Sequence, residues 1–151
     1  MAVRRVKHGT ASVVAAALIA TGPAVGEATS SLGAGMYETV LTVTIAGERQ
    51  PPETDQQCFT KTDLEQLAAW LATNLGEGCS VANLKPSAPM TTFDIACAGD
   101  GEQVSTRAEL TTGSDNFEAV ITTTEDIEGE MLESVFEIAA WRVADCPAVR
   151  H

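Results

Sequence analysis

The chain has 151 residues, a formal net charge of −12 and a sequence pI near 4.4; 44% of its residues are hydrophobic but only 5% aromatic. So acidic a surface repels phosphate backbones and anionic lipid, which argues against nucleic acid as a partner and leaves a basic protein or a cation. With two histidines, one tyrosine and four cysteines, few of the groups that usually carry catalysis are present at all.

Arg4, Arg5 and Lys7 make a basic start, Ala11 to Ala20 form a short apolar run, and small residues follow. This three-part pattern predicts a signal peptide over residues 1–28, cleaved after Ala24 or Ala28. A membrane span needs about 20 apolar residues, roughly twice what this run supplies, so no span is expected after cleavage. Periplasmic or secreted localisation follows. Removing residues 1–28 leaves 123 residues and takes three cations and Glu27 with it, moving the net charge from −12 to −14. A chain of that size supports one domain. Residues 29–34 read as a disordered lead-in, 35–147 as a single β-rich domain and 148–151 as a loose tail.

From Gly35 to Ala46 the side chains alternate and β-branched residues dominate, the pattern of a long strand. Gly47 ends it, and residues 47–57 read as a polar loop with two prolines. One helix follows. Thr60 and Asp63 are spaced as a capping box, Phe59 and Leu64 as a hydrophobic staple, and Leu64, Leu67, Ala68, Leu71 and Leu75 form one apolar stripe ending near Asn74 or Gly76. Trp70, beside the stripe, reads as packing.

Cys79 to Cys97 is the most ordered stretch. Pairs whose numbers sum to 176 place Cys79 opposite Cys97, Val81 opposite Ile95 and Asn83 opposite Phe93, joined by a loop from Lys85 to Pro89. Opposed residues of a hairpin have Cβ atoms about 5 Å apart, close to what a disulfide needs. In a second hairpin, pairs summing to 227 match Leu110 with Phe117, Ala108 with Ala119 and Thr106 with Ile121, turning at Gly113-Ser114. Arg107, Glu109 and Glu118 fall on its other, solvated face. An acidic loop, 125–130, leads to a last strand over about Leu132 to Val143, apolar on both faces: Phe136 and Ile138 on one, Val135, Ala139 and Trp141 on the other.

Four cysteines in a small exported domain imply two disulfides. The hairpin register selects Cys79–Cys97 and leaves Cys58–Cys146. The gaps are too wide for a zinc site and His151 is the only histidine beyond the leader, so no metal and no cofactor are expected. The fold class is mainly β with minor α: a six-stranded antiparallel meander, barrel-like or a bent sheet, with one amphipathic helix packed on it.

Gly35, Tyr37 and Glu38 open the first strand; Cys58 and Thr60 precede the helix; Cys79 and Cys97 bound the hairpin; Arg142 stands four residues before Cys146. In this order, over residues 33–147, the chain resembles small exported bacterial proteins grouped as a domain of unknown function, uncharacterised periplasmic four-cysteine proteins. Tyr37 stands where Trp is usual in that pattern and Ala144 where Gly is, and the acidic run is atypical. The resemblance implies location and fold and assigns no activity. A shorter likeness to lipocalin-like barrels, which also open on Gly-x-Trp and carry an arginine on the last strand, implies that Tyr37 and Arg142 meet as a cation–π pair closing a barrel.

No Ser-His or Cys-His pair can be assembled without a histidine inside the domain, so the expectation is a protein without catalysis. Glu125, Asp126, Glu128 and Glu130 are the best calcium ligands on offer, though their spacing lacks an EF-hand pattern. Two functions remain. One is a binding module holding a small apolar ligand between sheet and helix, or an envelope component; the other is an acidic interaction protein or inhibitor docking on a basic envelope protein or hydrolase. Either is expected to act as a monomer.

Overall fold

β-Branched residues crowd the stretch from Thr39 to Ile45, and the computed structural model, which describes residues 32–101 and 103–148, forms strand β1 over Gly35–Ile45. Ala46 and Gly47, with φ of 51° and 82°, turn the chain back into β2 (Glu48–Arg49), paired with Thr44 and Ile45. Pro51-Pro52 interrupt the pairing, which resumes as β3 (Glu53–Phe59), opposite Leu41 to Gly35. The stretch read as a polar loop is therefore two edge strands. Residues 53–56 of β3 are exposed, so the backbone ladder supplies the pairing and the side chains carry no apolar alternation to reveal it.

Thr60 caps the next element. Its hydroxyl accepts from the Asp63 amide at 3.2 Å, and the Asp63 carboxylate accepts from the Thr60 amide at 2.8 Å. Two short helices follow instead of one: α1 (Lys61–Glu65) and α2 (Leu67–Leu75), broken at Gln66. The Gln66 amide donates to both Thr62 and Asp63 carbonyls, a tightened last turn. Leu64, Leu67 and Leu71 stay in phase across the break and are all buried, so the apolar spacing carries no trace of it.

The rest is a meander of β4 (Cys79–Ser87), β5 (Met90–Cys97), β6 (Val104–Thr112), β7 (Asn116–Ile127) and β8 (Glu130–Ala144). β8 then pairs with β1, so the sheet runs β2-β1-β8-β7-β6-β5-β4, with β3 also on β1, antiparallel throughout. Eight strands replace the expected six, and the sheet is not closed into a barrel: β2 and β3 form one edge, β4 the other.

Turn geometry accounts for the register corrections. β4 and β5 pair Cys79 with Cys97 and Val81 with Ile95, but Asn83 and Leu84 together stand opposite Phe93. Asn83 has φ 51°, and its side-chain amide donates to Asp94 Oδ2 at 2.8 Å, a bulge held by a side chain. Beyond it Lys85 to Ser87 are strand rather than loop, and Ala88-Pro89, joined by a cis peptide bond, make the turn. β6 and β7 pair Leu110 with Ala119 and Ala108 with Ile121, two residues from the expected register. A slip of two keeps every side chain on its own face, so the hydrophobic pattern could not separate the two choices. Gly113 lies just past the end of β6 and donates to the Asn116 carbonyl at 2.8 Å; a Cβ there would lie 3.2 Å from Asn116 Cγ.

The acidic run is not a loop either. Glu125 to Ile127 belong to β7, Ile127 opposes Glu130, and Glu128-Gly129, with φ of 54° and 89°, form a two-residue turn.

Apolar residues run across one face in rows. Phe93, Ala108, Ile121, Phe136 and Val43 are successive cross-strand partners, as are Leu110, Ala119, Ile138 and Leu41. This is the inner face. Leu64, Leu67, Leu71 and Ala72 join the same buried cluster. Phe59 sits at its centre, edge-on to Tyr37 at 5.5 Å, to Phe117 at 5.7 Å and to Trp70 at 4.9 Å. Packing begins earlier than expected: Leu32 is buried, and the Gly33 amide reaches the Ser114 carbonyl at 3.3 Å, so at least residues 32–34 of the lead-in are fastened. The expected signal peptide, residues 29–31 and residues 149–151 lie outside the described residues.

Candidate interaction face

Outer-face side chains alternate with the inner rows, and the helices join the core on the inner side. Glu109, Val120, Glu137 and Thr42 form one cross-strand row, buried at Thr42; Thr111, Glu118, Ala139 and Val40 form the next; Asn116, Trp141 and Glu38 form the third. Trp141 is 39% exposed and Val120 likewise. An indole and a few aliphatic side chains thus stand among Glu38, Glu109, Glu118 and Glu137. Of these carboxylates, Glu137 has a guanidinium nearby, Arg49 at 3.7 Å, an exposed pair that contributes little. Chemically, the face offers a π-surface beside several carboxylates, the combination that accepts a guanidinium or ammonium group.

Sequence reading had Glu109 and Glu118 on a solvated face but left Trp141 on a strand apolar on both sides. The missing signal was the β8 register. Once Trp141 is opposite Asn116 and Glu38, it can only share the face of Glu118.

The other singled-out residues lie elsewhere. Cys79 is bonded to Cys97, with Cα atoms 3.9 Å apart, and Cys58 to Cys146, with Cα atoms 5.5 Å apart. Tyr37 and Arg142 are cross-strand partners between β1 and β8, within an open sheet, so they close no barrel. The Tyr37 ring packs on Phe59 and Phe117, and its hydroxyl donates to the Gly33 carbonyl at 2.8 Å. Burial raises its pKa, the Asp115 carboxylate adds to that, and Arg142 works in the opposite direction. Arg142 Nε donates to the Ala34 carbonyl at 3.0 Å and its terminal nitrogen pairs with Asp145. The Thr60 hydroxyl and amide hold the Asp63 carboxyl below its ordinary pKa, as a capping role requires.

Glu125, Asp126, Glu128 and Glu130 do not converge. Glu125 and Asp126 are successive residues of one strand and point to opposite faces, and Asp126 accepts from the Gly129 amide at 2.8 Å. Among the described residues no group of three acidic, histidine or cysteine side chains is placed to hold a metal ion. Among the same residues, no helix is long and apolar enough to cross a membrane.

The space between sheet and helices is filled by the core cluster. Clefts open at the surface among the described residues. One of about 420 Å3 lies between Leu41 and Val43 of β1 and the Gln50–Glu53 segment; another, about 50 Å3, lies at the β4 bulge beside Lys85, Asp94 and Arg107.

A family model described as a protein of unknown function, DUF3617, matches residues 32–146. No curated protein and no solved structure matches the chain.

Proposed function

The chain belongs to this family of unknown function across nearly its whole described length, and from that premise we propose that it is an exported, non-catalytic interaction protein whose outer sheet face docks on a basic protein. The observation that carries the reading is Trp141 standing exposed among Glu38, Glu118 and Glu137 on the outer sheet face. Aromatic anchors ringed by groups of one charge are where interface energy concentrates. The net charge of −12 steers a cationic partner toward the molecule from a distance. Two disulfides suit an oxidising compartment outside the cytosol.

A small apolar ligand is the second reading. Its support is the 420 Å3 cleft walled by Leu41, Val43, Pro51 and Pro52, which lies at the sheet edge rather than under the helices.

Immobilised protein incubated with extract of its own envelope tests the first reading. Capture of a basic protein is expected, falling steeply as salt rises, and falling again for Trp141→Ala and for Glu38→Gln/Glu118→Gln. Capture indifferent to salt and to both variants would sink it. Native mass spectrometry showing a retained small molecule would favour the second.

A further inference from the structure

The two edges of the sheet differ in kind. Exposed edges are normally blunted by bulges, prolines, lysines or a covering element. The β4 edge has all of these: the Asn83-Leu84 bulge, Lys85, Pro86, and α2 packed against the strand. The β3 edge has no bulge, proline or lysine within Glu53–Phe59, and the short α1 that follows it is the helix it touches. The register of β3 against β1 is unbroken over seven residues, and residues 53–56 are exposed. Pro51-Pro52 mark where this open edge begins, and the Cys58–Cys146 bond pins its far end. Glu53 and Asp55 point to one side of it, Thr54 and Gln56 to the other. Thr54 is opposite Val40, and Gln56 opposite Glu38, so both extend the rows that contain Trp141 and its carboxylates.

From this contrast we propose that β3 is a strand-addition site: an extended segment of the basic partner pairs with residues 53–57, its Lys or Arg side chains on the Thr54 and Gln56 side, in line with Glu38 and the other carboxylates beside Trp141. Main-chain hydrogen bonds to an edge supply affinity, and alternate side chains supply selectivity. The Gln56 amide is now held by its neighbour's carboxylate, Asp55 Oδ1, at 2.8 Å, a local contact with which an incoming backbone carbonyl competes. A second copy of this chain is the poorer occupant, since two molecules of net charge −12 would meet at the same acidic edge. The inference rests on the docking reading above and specifies how the partner is engaged.

The test uses the whole exported protein and two probes, an octapeptide of alternating Lys and Thr and the same peptide with alternate backbone amides methylated. Hydrogen exchange at Thr54 and Gln56 reports on the edge; the Trp141 indole resonance reports on the face. Expected is binding of the first peptide at low salt, with about tenfold slower exchange at one or both of these amides, and loss of that protection with the methylated peptide. Equal binding of both peptides would mean that charge alone acts and would overturn strand addition. A shifted Trp141 resonance with unprotected β3 amides would also overturn it while leaving the docking face standing. If neither peptide binds in a salt-dependent way, the face and the edge fail together. Protection that grows with protein concentration and needs no peptide would identify a second copy as the occupant, against the proposal.

Discussion

Gly35 and Arg142 occupy space that a larger residue at position 35 could not share: a Cβ there would lie 2.9 Å from Arg142 Cζ and 2.7 Å from the Ala144 carbonyl oxygen. The guanidinium crosses the start of β1 at this point to reach the Ala34 carbonyl, fastening the first described residues to the last strand. Gly35→Ala is expected to destabilise the protein by about 2–3 kcal/mol, since either the arginine or the β1–β8 pairing must move. The cost should shrink when Arg142 is also replaced by Ala, because only the clash with the Ala144 carbonyl then remains. Denaturant unfolding of the two single variants and the double would show it; strictly additive losses would mean that the two residues are not in conflict.

Tyr37 supplies a pH test, and it is the only tyrosine in the chain. Its folded pKa is raised, first by burial. A raised pKa means that the neutral phenol contributes stability in full below the unfolded value of about 10, and that this contribution is lost as pH rises through the folded value. Phenolate absorbance of the native protein should therefore titrate above that of the unfolded chain. Tyr37→Phe should be less stable by about 1 kcal/mol at neutral pH, through the lost hydrogen bond to Gly33, and should lack the tyrosine part of the alkaline decline. A native phenol titrating at or below the unfolded value would contradict the burial.

Sequence alone reached the strands whose side chains alternate, since burial of one face writes a period of two into the chain. It reached the Thr60–Asp63 cap and the register at Cys79 and Val81 because each is written in side chains that must meet, within one turn for the cap and across one hairpin for the register. Three things were invisible, each on physical grounds. β2 and β3 are paired by backbone alone, so Glu53 to Gln57 look like any polar loop. The β6–β7 register was ambiguous by two, since both choices bury Leu110 and Phe117. The acidic run hid a turn, because Glu125 and Asp126 carry no β-propensity and only the φ of Glu128 and Gly129 shows that the strands continue through them. The cluster of Trp141 with Glu38 and Glu118 was out of reach too, because it needs β1, β7 and β8 side by side, and the β1–β8 pairing joins the two ends of the domain.

The two tight turns can both be improved. Ala46-Gly47 and Glu128-Gly129 each have positive φ at both positions, the geometry of a type I′ turn, for which Asn-Gly is favoured. Ala and Glu enter the left-handed region at a cost of about 1 kcal/mol that Asn largely avoids. Ala46→Asn and Glu128→Asn should each raise stability by about 0.5–1 kcal/mol, additively, since the turns are separate hairpins. Unchanged or lowered unfolding midpoints would place these residues outside the left-handed region.

The disulfides should rank by the loop each closes. Cys58–Cys146 spans a separation of 88 residues and Cys79–Cys97 one of 18. On loop entropy alone, replacing the first pair by serine should cost about 4–5 kcal/mol and the second about 3 kcal/mol. Their local effects should differ more. Cys79 and Cys97 already face each other within a ladder that continues to Ser87 and Met90, so that hairpin keeps its register without the bond. Cys58 ends the β3 edge, where the exposed residues 53–56 bury little, and Cys146 lies in the coil after β8. Loss of that bond should release β3 ahead of the rest of the sheet. Hydrogen exchange should then quicken at β3 in the Cys58→Ser/Cys146→Ser protein while β6 and β7 stay protected, and binding at the β3 edge should weaken with it. Uniform loss of protection across all strands would instead show that β3 unfolds only with the whole domain.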